Sequence, residues 1–299
     1  MNLAPICLFT YKRLDCTIQT VEALQKNTLA SESKLYVFSD GAKKESDWDD
    51  IHQVRKYLDG VNGFKEIIRI NRDKNIGLAN SIITGVSEVV NNHGRVIVLE
   101  DDLLTTPNFL HYMNEALEFY QDQSKIFSIA GYTITVTPPA NYDFDVYTVP
   151  RTSPWGWASW QDRWNTVDWE VSKYETFKDN AKMRRAFNEG GSDLANMLDR
   201  QMKDKLDSWA IRWGFQQFNN DQLTIFPTIS KIRNIGFGKD ATHTKFYDRY
   251  RSKLDDSANT HFKFTEEVKP HKKFVNTYKA KYSLFTRFVG RLKHYLGLP

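Results

Sequence analysis

Over the first hundred positions, short apolar runs alternate with amphipathic stretches. In order they read APICLFT, LDCTIQTVEALQKN, KLYVFSD, ESDWDDIHQVRKYLDG, FKEIIRI, GLANSIITGVSEVVNN and RVIVLE. Compact apolar runs suit strands buried on both faces, and apolar positions at helical spacing suit helices packed on them. The pattern predicts a βαβαβαβ series, hence an α/β fold with a mostly parallel central sheet and helices on both faces. Such sheets bind ligands beyond the carboxyl ends of their strands. Those ends read TYKR (10–13), SDG (39–41), NRDKNIG (71–77) and EDD (100–102), all polar, and the topology brings them to one edge.

After EDD, Thr106 is a predicted N-cap with Pro107 at the first helical position, followed by Phe109, Leu110, Met113 and Leu117 at helical spacing. From about residue 124 the alternation loosens into strand candidates KIFSIAGY and DVYTVP and the aromatic segment SPWGWASWQDRW. One helical stretch, 192–218, then leads to QLTIFPTIS and the glycine-bearing loop NIGFGKDATHT. No repeat or low-complexity linker separates the halves.

The 299 residues suffice for one large domain with an appendage. Cys7 and Cys16 form neither a CxxC pair nor a disulfide framework, which suits a reducing compartment. No apolar run reaches the ~18 residues of a membrane span and the first residues do not read as a signal peptide, so a cytoplasmic location is expected. The net charge of +4 is uneven, because the eight basic residues after Glu267 face no acid and leave −4 on residues 1–267. That distribution argues against a nucleic-acid-binding body.

The three adjacent carboxylates Glu100, Asp101 and Asp102 follow four apolar residues directly. Like charges beside a low-dielectric core need a facing cation or several donors, so something positive is expected there. If the strand continued through 102, Glu100 and Asp102 would face one side and Asp101 the other. Mg²⁺ or Mn²⁺ takes oxygen ligands, often one or two carboxylates with phosphate oxygens and water, so this run suits a metal carried by a nucleotide diphosphate. The other reading is an acidic run that merely precedes a helix N-terminus.

The order TYKR, FSDG, NIGLA, VIVLEDD, WGWASW, DSW and THTKFYD resembles the GT-A glycosyltransferases, and within them is similar to N-acetylglucosaminyltransferase I, over most of residues 4–248. The resemblance implies a Rossmann-like GT-A domain over 1–268, with a nucleotide-binding half (1–103), an acceptor half (104–268) and a basic amphipathic tail (269–299). It places Arg13 near the diphosphate, with Thr10 and Asn75 on the same nucleotide-sugar edge, and gives Asp40 the uracil imide. Asp102 becomes the direct metal ligand, while Glu100 and Asp101 support the ribose, the sugar or metal-bound water. Asp207, in LDSWAIRW, corresponds to the general base, although Ser208 stands where the family has a second acid; Asp204 or Asp221 are the substitutes. His243 matches the late histidine that completes the metal shell or closes over the diphosphate. Trp155, Trp157 and Trp160 are either core or a wall on which a sugar stacks, with Trp157 nearest the donor. Trp209 and Trp213, four apart, read as packing residues.

In the tail, Tyr278, Tyr282, Phe285, Val289, Leu292 and Leu296 follow helical spacing beside Lys279, Arg287, Arg291 and Lys293. Either this helix lies on an anionic membrane surface, making the protein peripheral on the inner face of the cell membrane, or it docks on its own domain. The expectation is therefore a Mn²⁺- or Mg²⁺-dependent, inverting transfer of a sugar from a UDP-sugar, UDP-N-acetylglucosamine by resemblance, to a glycan hydroxyl. A membrane-bound tail would suit a lipid-linked acceptor, as in bacterial surface polysaccharide or lipooligosaccharide synthesis. A sugar nucleotidyltransferase would need a glycine-rich loop after the first strand, and TYKR has no glycine. A glycan-binding protein without catalysis is the non-enzyme alternative.

Overall fold

The computed structural model describes residues 2–236, 250, 252–283, 285, 286 and 289. Its first half follows the predicted alternation: β1 (Ile6–Thr10), α1 (Leu14–Gln25), β2 (Lys34–Ser39), α2 (Trp48–Asp59), β3 (Glu66–Asn71), α3 (Leu78–His93) and β4 (Arg95–Glu100). Then come β5 (Leu103–Thr105), α4 (Phe109–Phe119), β6 (Ile126–Ala130), β7 (Val146–Val149) and β8 (Trp157–Trp160). Short helices α5 (Gln161–Trp164), α6 (Tyr174–Lys178), α7 (Ala181–Phe187) and α8 (Leu194–Gln201) precede α9 (Trp209–Asn219), β9 (Leu223–Pro227), β10 (Ile232–Asn234) and α10 (Lys272–Lys281).

Eight strands form one sheet in the order β3-β2-β1-β4-β8-β6-β9-β7, and β5 pairs with β10 in a second, two-stranded sheet. β1 to β4 are parallel; β8 is antiparallel to both β4 and β6, β9 is parallel to β6, and β7 is antiparallel to β9. Hence β4, β6 and β9 end, and β7 and β8 begin, on the edge where β1 to β3 end. The expected α/β architecture is present, and one sheet edge gathers the loops of both halves.

Alternation within β1 shows how the sheet is covered. Ile6 and Leu8 join the core that holds residues of α1, α4 and α10, whereas Cys7 and Phe9 join the core under α3 and α9. The two faces are both apolar because both are buried.

Several local expectations change. The stretch 192–218 is not one helix: α8 ends at Gln201, Asp204 adopts a positive φ of 53°, and Ser208 caps α9 by accepting from the Ile211 amide at 3.3 Å. α4 starts at Phe109 with Asn108 in the cap position, so Thr106 and Pro107 form a turn ahead of it. The tail helix docks through its first turns, because Phe274, Tyr278 and Tyr282 are buried in the main core and Phe274 stacks on Tyr147 at 4.1 Å. Tyr278 and Tyr282 therefore offer nothing to a membrane. Phe285 is 75% exposed, and Arg287, Arg291, Leu292, Lys293 and Leu296 lie outside the described residues. Among the described residues no helix is long and apolar enough to cross a membrane.

Candidate active site at the carboxyl edge of the sheet

β4 stops at Glu100, and residues 101 and 102 form a turn instead of extending the strand. The expected alternation therefore fails, and Asp101 and Asp102 reach the same partner. That partner is Arg13, which stands immediately before α1. Its Nη2 donates to Asp101 Oδ1 and, at 2.9 Å, to Asp102 Oδ2. Asp101 Oδ2 also accepts the Tyr11 amide at 3.2 Å, and the Asp101 carbonyl accepts the Thr20 hydroxyl at 2.9 Å. The cation demanded by the acidic run is thus supplied from the end of the neighbouring strand.

Glu100 is treated differently. It is half-buried, and its carboxylate makes no hydrogen bond or salt bridge among the described residues. Desolvation, followed by the charges of Asp102 and Asp101, pushes its carboxyl well above the usual range, and Arg13 offsets only part of this. Asp101 is likewise raised by burial, with Arg13 pulling the other way. A carboxylate crowded by two others is a place where added positive charge would be stabilised.

The second sheet pins this turn. β10 pairs antiparallel with β5, and the Ile235 amide donates to the Asp102 carbonyl at 2.8 Å. Gly236 follows against the acid itself: a Cβ there would press on the carboxylate of Asp102 and stand 2.9 Å from Arg13 Nη1, so a side chain at this position would have to displace the ends of both. His243, seven residues on, lies outside the described residues.

On the other side of β1, Asp40 is buried and its carboxylate accepts from the backbone amides of Gly41 (3.0 Å), Ile76 (3.1 and 3.2 Å) and Gly77 (3.1 Å). Asn75 donates to the Gly41 carbonyl at 2.8 Å, and a Cβ on Gly41 would sit 2.5 Å from the Lys74 carbonyl carbon. Asp40 and Asn75 therefore tie the loop after β2 to the loop before α3. Both oxygens of Asp40 are committed to that work. Thr10 is buried at the end of β1, its hydroxyl 3.5 Å from the Phe38 carbonyl.

Two of the three aromatic rings expected here are buried in the core. Trp157 is 1% exposed and packs against Trp213 at 4.4 Å and against Trp164 and Trp209 at 5.5 Å each, so it is core. The physical reason is that its strand is covered on both faces. Trp160 is also buried, with Nε1 donating to the Leu117 carbonyl at 3.1 Å. Trp209 and Trp213 pack as read. The half-buried ring is Trp155, ahead of β8, with Tyr132 at 4.6 Å and Tyr250 at 5.4 Å. Asp207 lies in the loop before α9, its side chain 73% exposed and 3.9 Å from Arg212. No hydrogen bond or salt bridge joins it to the acidic turn.

One group of residues was missed in the sequence. Asp47 is buried beside the β1 loop, accepting from the Tyr11 hydroxyl at 2.9 Å and from Lys12 Nζ at 2.7 Å, while the Lys43 amide donates to the Tyr11 hydroxyl at 3.0 Å. In ESDWDD it looks like any acid near a helix start, and only its burial marks it out. These bonds fix Tyr11 and Lys12 next to Arg13.

No protein-family model and no curated protein matches the chain. Among solved structures it is similar to the mannosyltransferase PcManGT from Pyrobaculum calidifontis in complex with GDP-Man and Mn²⁺, at 9% identity and a TM-score of 0.37, over 54% of this chain and 46% of that one. It is also similar to S. aureus TarS 1-349, at 10% identity and a TM-score of 0.39, over 78% of this chain and 60% of that one. The chain thus spans less than two thirds of the length of either.

Proposed function

We propose that the protein is a GT-A-type glycosyltransferase that moves a sugar from a UDP-sugar, UDP-N-acetylglucosamine being first among them, to a glycan hydroxyl with inversion. The observation that carries this reading is the arrangement at the carboxyl edge of the sheet. Arg13 bridges Asp101 and Asp102 while the Glu100 carboxylate beside them has no partner among the described residues.

The donor set fits a divalent cation that arrives on a diphosphate. Among the described residues no three His, Cys, Asp or Glu side chains converge to hold a metal on their own. One or two carboxylates are what Mg²⁺ or Mn²⁺ takes when phosphate oxygens complete the shell. Asp102 and Glu100 would hold it, and the bound ion would neutralise charge on the leaving diphosphate. Arg13 supplies fixed positive charge at the same place, already oriented by two carboxylates. Asp40 and Asn75 brace the edge on which the base would lie, and the half-buried Trp155 offers the ring for the sugar in place of Trp157. Asp207 remains the residue assigned to accept the acceptor's proton. Its exposure leaves it open to an incoming hydroxyl.

The test is thermal unfolding with UDP, GDP, CMP and their sugars, each with Mn²⁺ and with chelator, since a ligand of the folded state raises the midpoint. A Mn²⁺-dependent shift with UDP compounds alone is expected. No shift with any nucleotide would reduce the acidic turn to a structural feature and favour the glycan-binding alternative. For the base, Asp207→Asn is expected to abolish turnover with donor binding unchanged; full turnover would remove Asp207 from the mechanism.

Membrane attachment, and with it a lipid-linked acceptor, rests in this proposal on Phe285 and the basic positions after Ser283, because the preceding turns are docked.

A further inference from the structure

A second concave site opens on the same sheet edge, at the end away from the acidic turn. It is a cleft of about 630 Å³ between the segment before β7 and the segment 259–263. Tyr142 and Phe144 form one wall, their rings edge-to-face at 5.7 Å, with Phe144 41% exposed. Asp143, Asp145, Asn259 and Lys263 supply the polar groups.

Its walls are held by backbone bonds. The Asp145 amide donates to the Lys263 carbonyl at 2.9 Å, the Lys263 amide returns to Asp145 Oδ2 at 2.8 Å, and the Thr228 amide donates to the Asp145 carbonyl at 2.8 Å. Asn108 Nδ2 fixes the Asn259 carbonyl at 2.9 Å. A cleft framed this way is formed before any ligand arrives, so little ordering opposes binding.

We infer that this cleft is a binding subsite for a neutral pyranose-based glycan, the acceptor of the proposed transfer. An exposed aromatic ring accepts the C–H face of a sugar, and flanking carboxylate and amide oxygens accept its hydroxyls. Lys263 Nζ is already engaged by both oxygens of Asp143, at 2.8 and 2.9 Å, so the lining carries one more carboxylate, Asp145, than lysine. That balance disfavours anionic sugars. The position agrees with transfer, since the end of β9 and the start of β7 share the edge on which Glu100 lies. The acceptor role, though not the binding itself, rests on the function proposed above.

The test uses the full chain and saturation-transfer NMR with neutral trisaccharides of glucose, galactose, mannose and N-acetylglucosamine, plus one sialylated trisaccharide. Binding of at least one neutral member is expected. Phe144→Ala and Asp143→Asn, both at exposed positions, should each weaken it about tenfold, equivalent to ~1.4 kcal/mol, with the melting midpoint kept. No neutral binding, binding indifferent to both substitutions, or equal binding of the sialylated sugar would overturn the inference. The nucleotide shifts of the wild-type chain keep the two readings apart. Trisaccharide binding through Phe144 without any nucleotide shift would support the cleft and sink the transferase. A UDP shift with no trisaccharide bound would sink the cleft alone.

Discussion

Replacing Arg13 with methionine would keep the aliphatic stem and leave two carboxylates facing each other without a cation. Both are largely withdrawn from solvent, so the expected loss is about 3 kcal/mol, read from urea denaturation. Adding Asp101→Asn should recover part of it, because the two positions are coupled through one ion pair. If Arg13→Met were neutral, the guanidinium would not be what makes the acidic turn tolerable. A second buried pair gives a pH signature. Burial raises the Asp255 carboxyl, but Lys231, Ser257 and Asn108 outweigh it and hold it at about 2. Lys231 itself sits below its ordinary value, since burial exceeds the pull of Asp255. A carboxyl lowered from ~3.9 contributes stability that is whole above about pH 4 and is lost as pH falls through its folded value. Denaturation curves between pH 4 and 2 should therefore steepen their decline in the wild type relative to Asp255→Asn. Identical slopes would exclude the pair as an acid-sensitive fastening.

At the scale of elements, Trp157 within β8 and Trp155 just ahead of it differ in burial, and they should differ in what their removal does. Trp157→Ala should cost about 3–5 kcal/mol, because it empties a space shared with Trp164, Trp209 and Trp213. Trp155→Ala, at a half-buried ring, should change the midpoint little and weaken nucleotide-sugar binding while sparing free UDP. The reverse pattern would return Trp157 to the sugar wall. This contrast also shows what the sequence could and could not convey. In β1 to β4 and their helices, apolar runs and helical periodicity differ plainly, so each element was legible. In WGWASW the spaced tryptophans fitted a core and a sugar wall equally well, because only the covering of the strand on both sides decides that Trp157 and Trp160 are buried. The stretch 192–218 kept helical spacing across a break, because α8 and α9 present apolar faces to one small core. The need for a cation at the acidic run was legible because three adjacent carboxylates demand one, whereas its identity as Arg13 was not, because the pairing spans 88 and 89 residues of sequence. Asp47 was not, because nothing local distinguishes a buried acid from an exposed one beside a helix start.

For the whole molecule, the docked α10 changes how the tail must be tested. A chain ending at Glu267 would lose Phe274, Tyr278 and Tyr282 from the core and should melt well below the full chain. A chain ending at Ser283 keeps them. On anionic vesicles it should sediment less than the full chain while keeping its midpoint; equal sedimentation would remove the membrane reading. α10 also joins distant parts of the fold. Arg151 pairs with Asp193 at 2.9 and 3.0 Å and lies 3.6 Å from the Tyr282 ring centre, and Ser192 donates to the Tyr282 carbonyl at 3.1 Å. This has a consequence for biosynthesis. The ten strands of the described residues all precede α10 in sequence, and the parallel half can assemble while translation continues. The far end of the sheet cannot close until α10 emerges and covers Tyr147 and Phe226. In a cell, the nascent chain therefore passes through a stage with a finished parallel half and an open aromatic face, and that face is where a chaperone would bind.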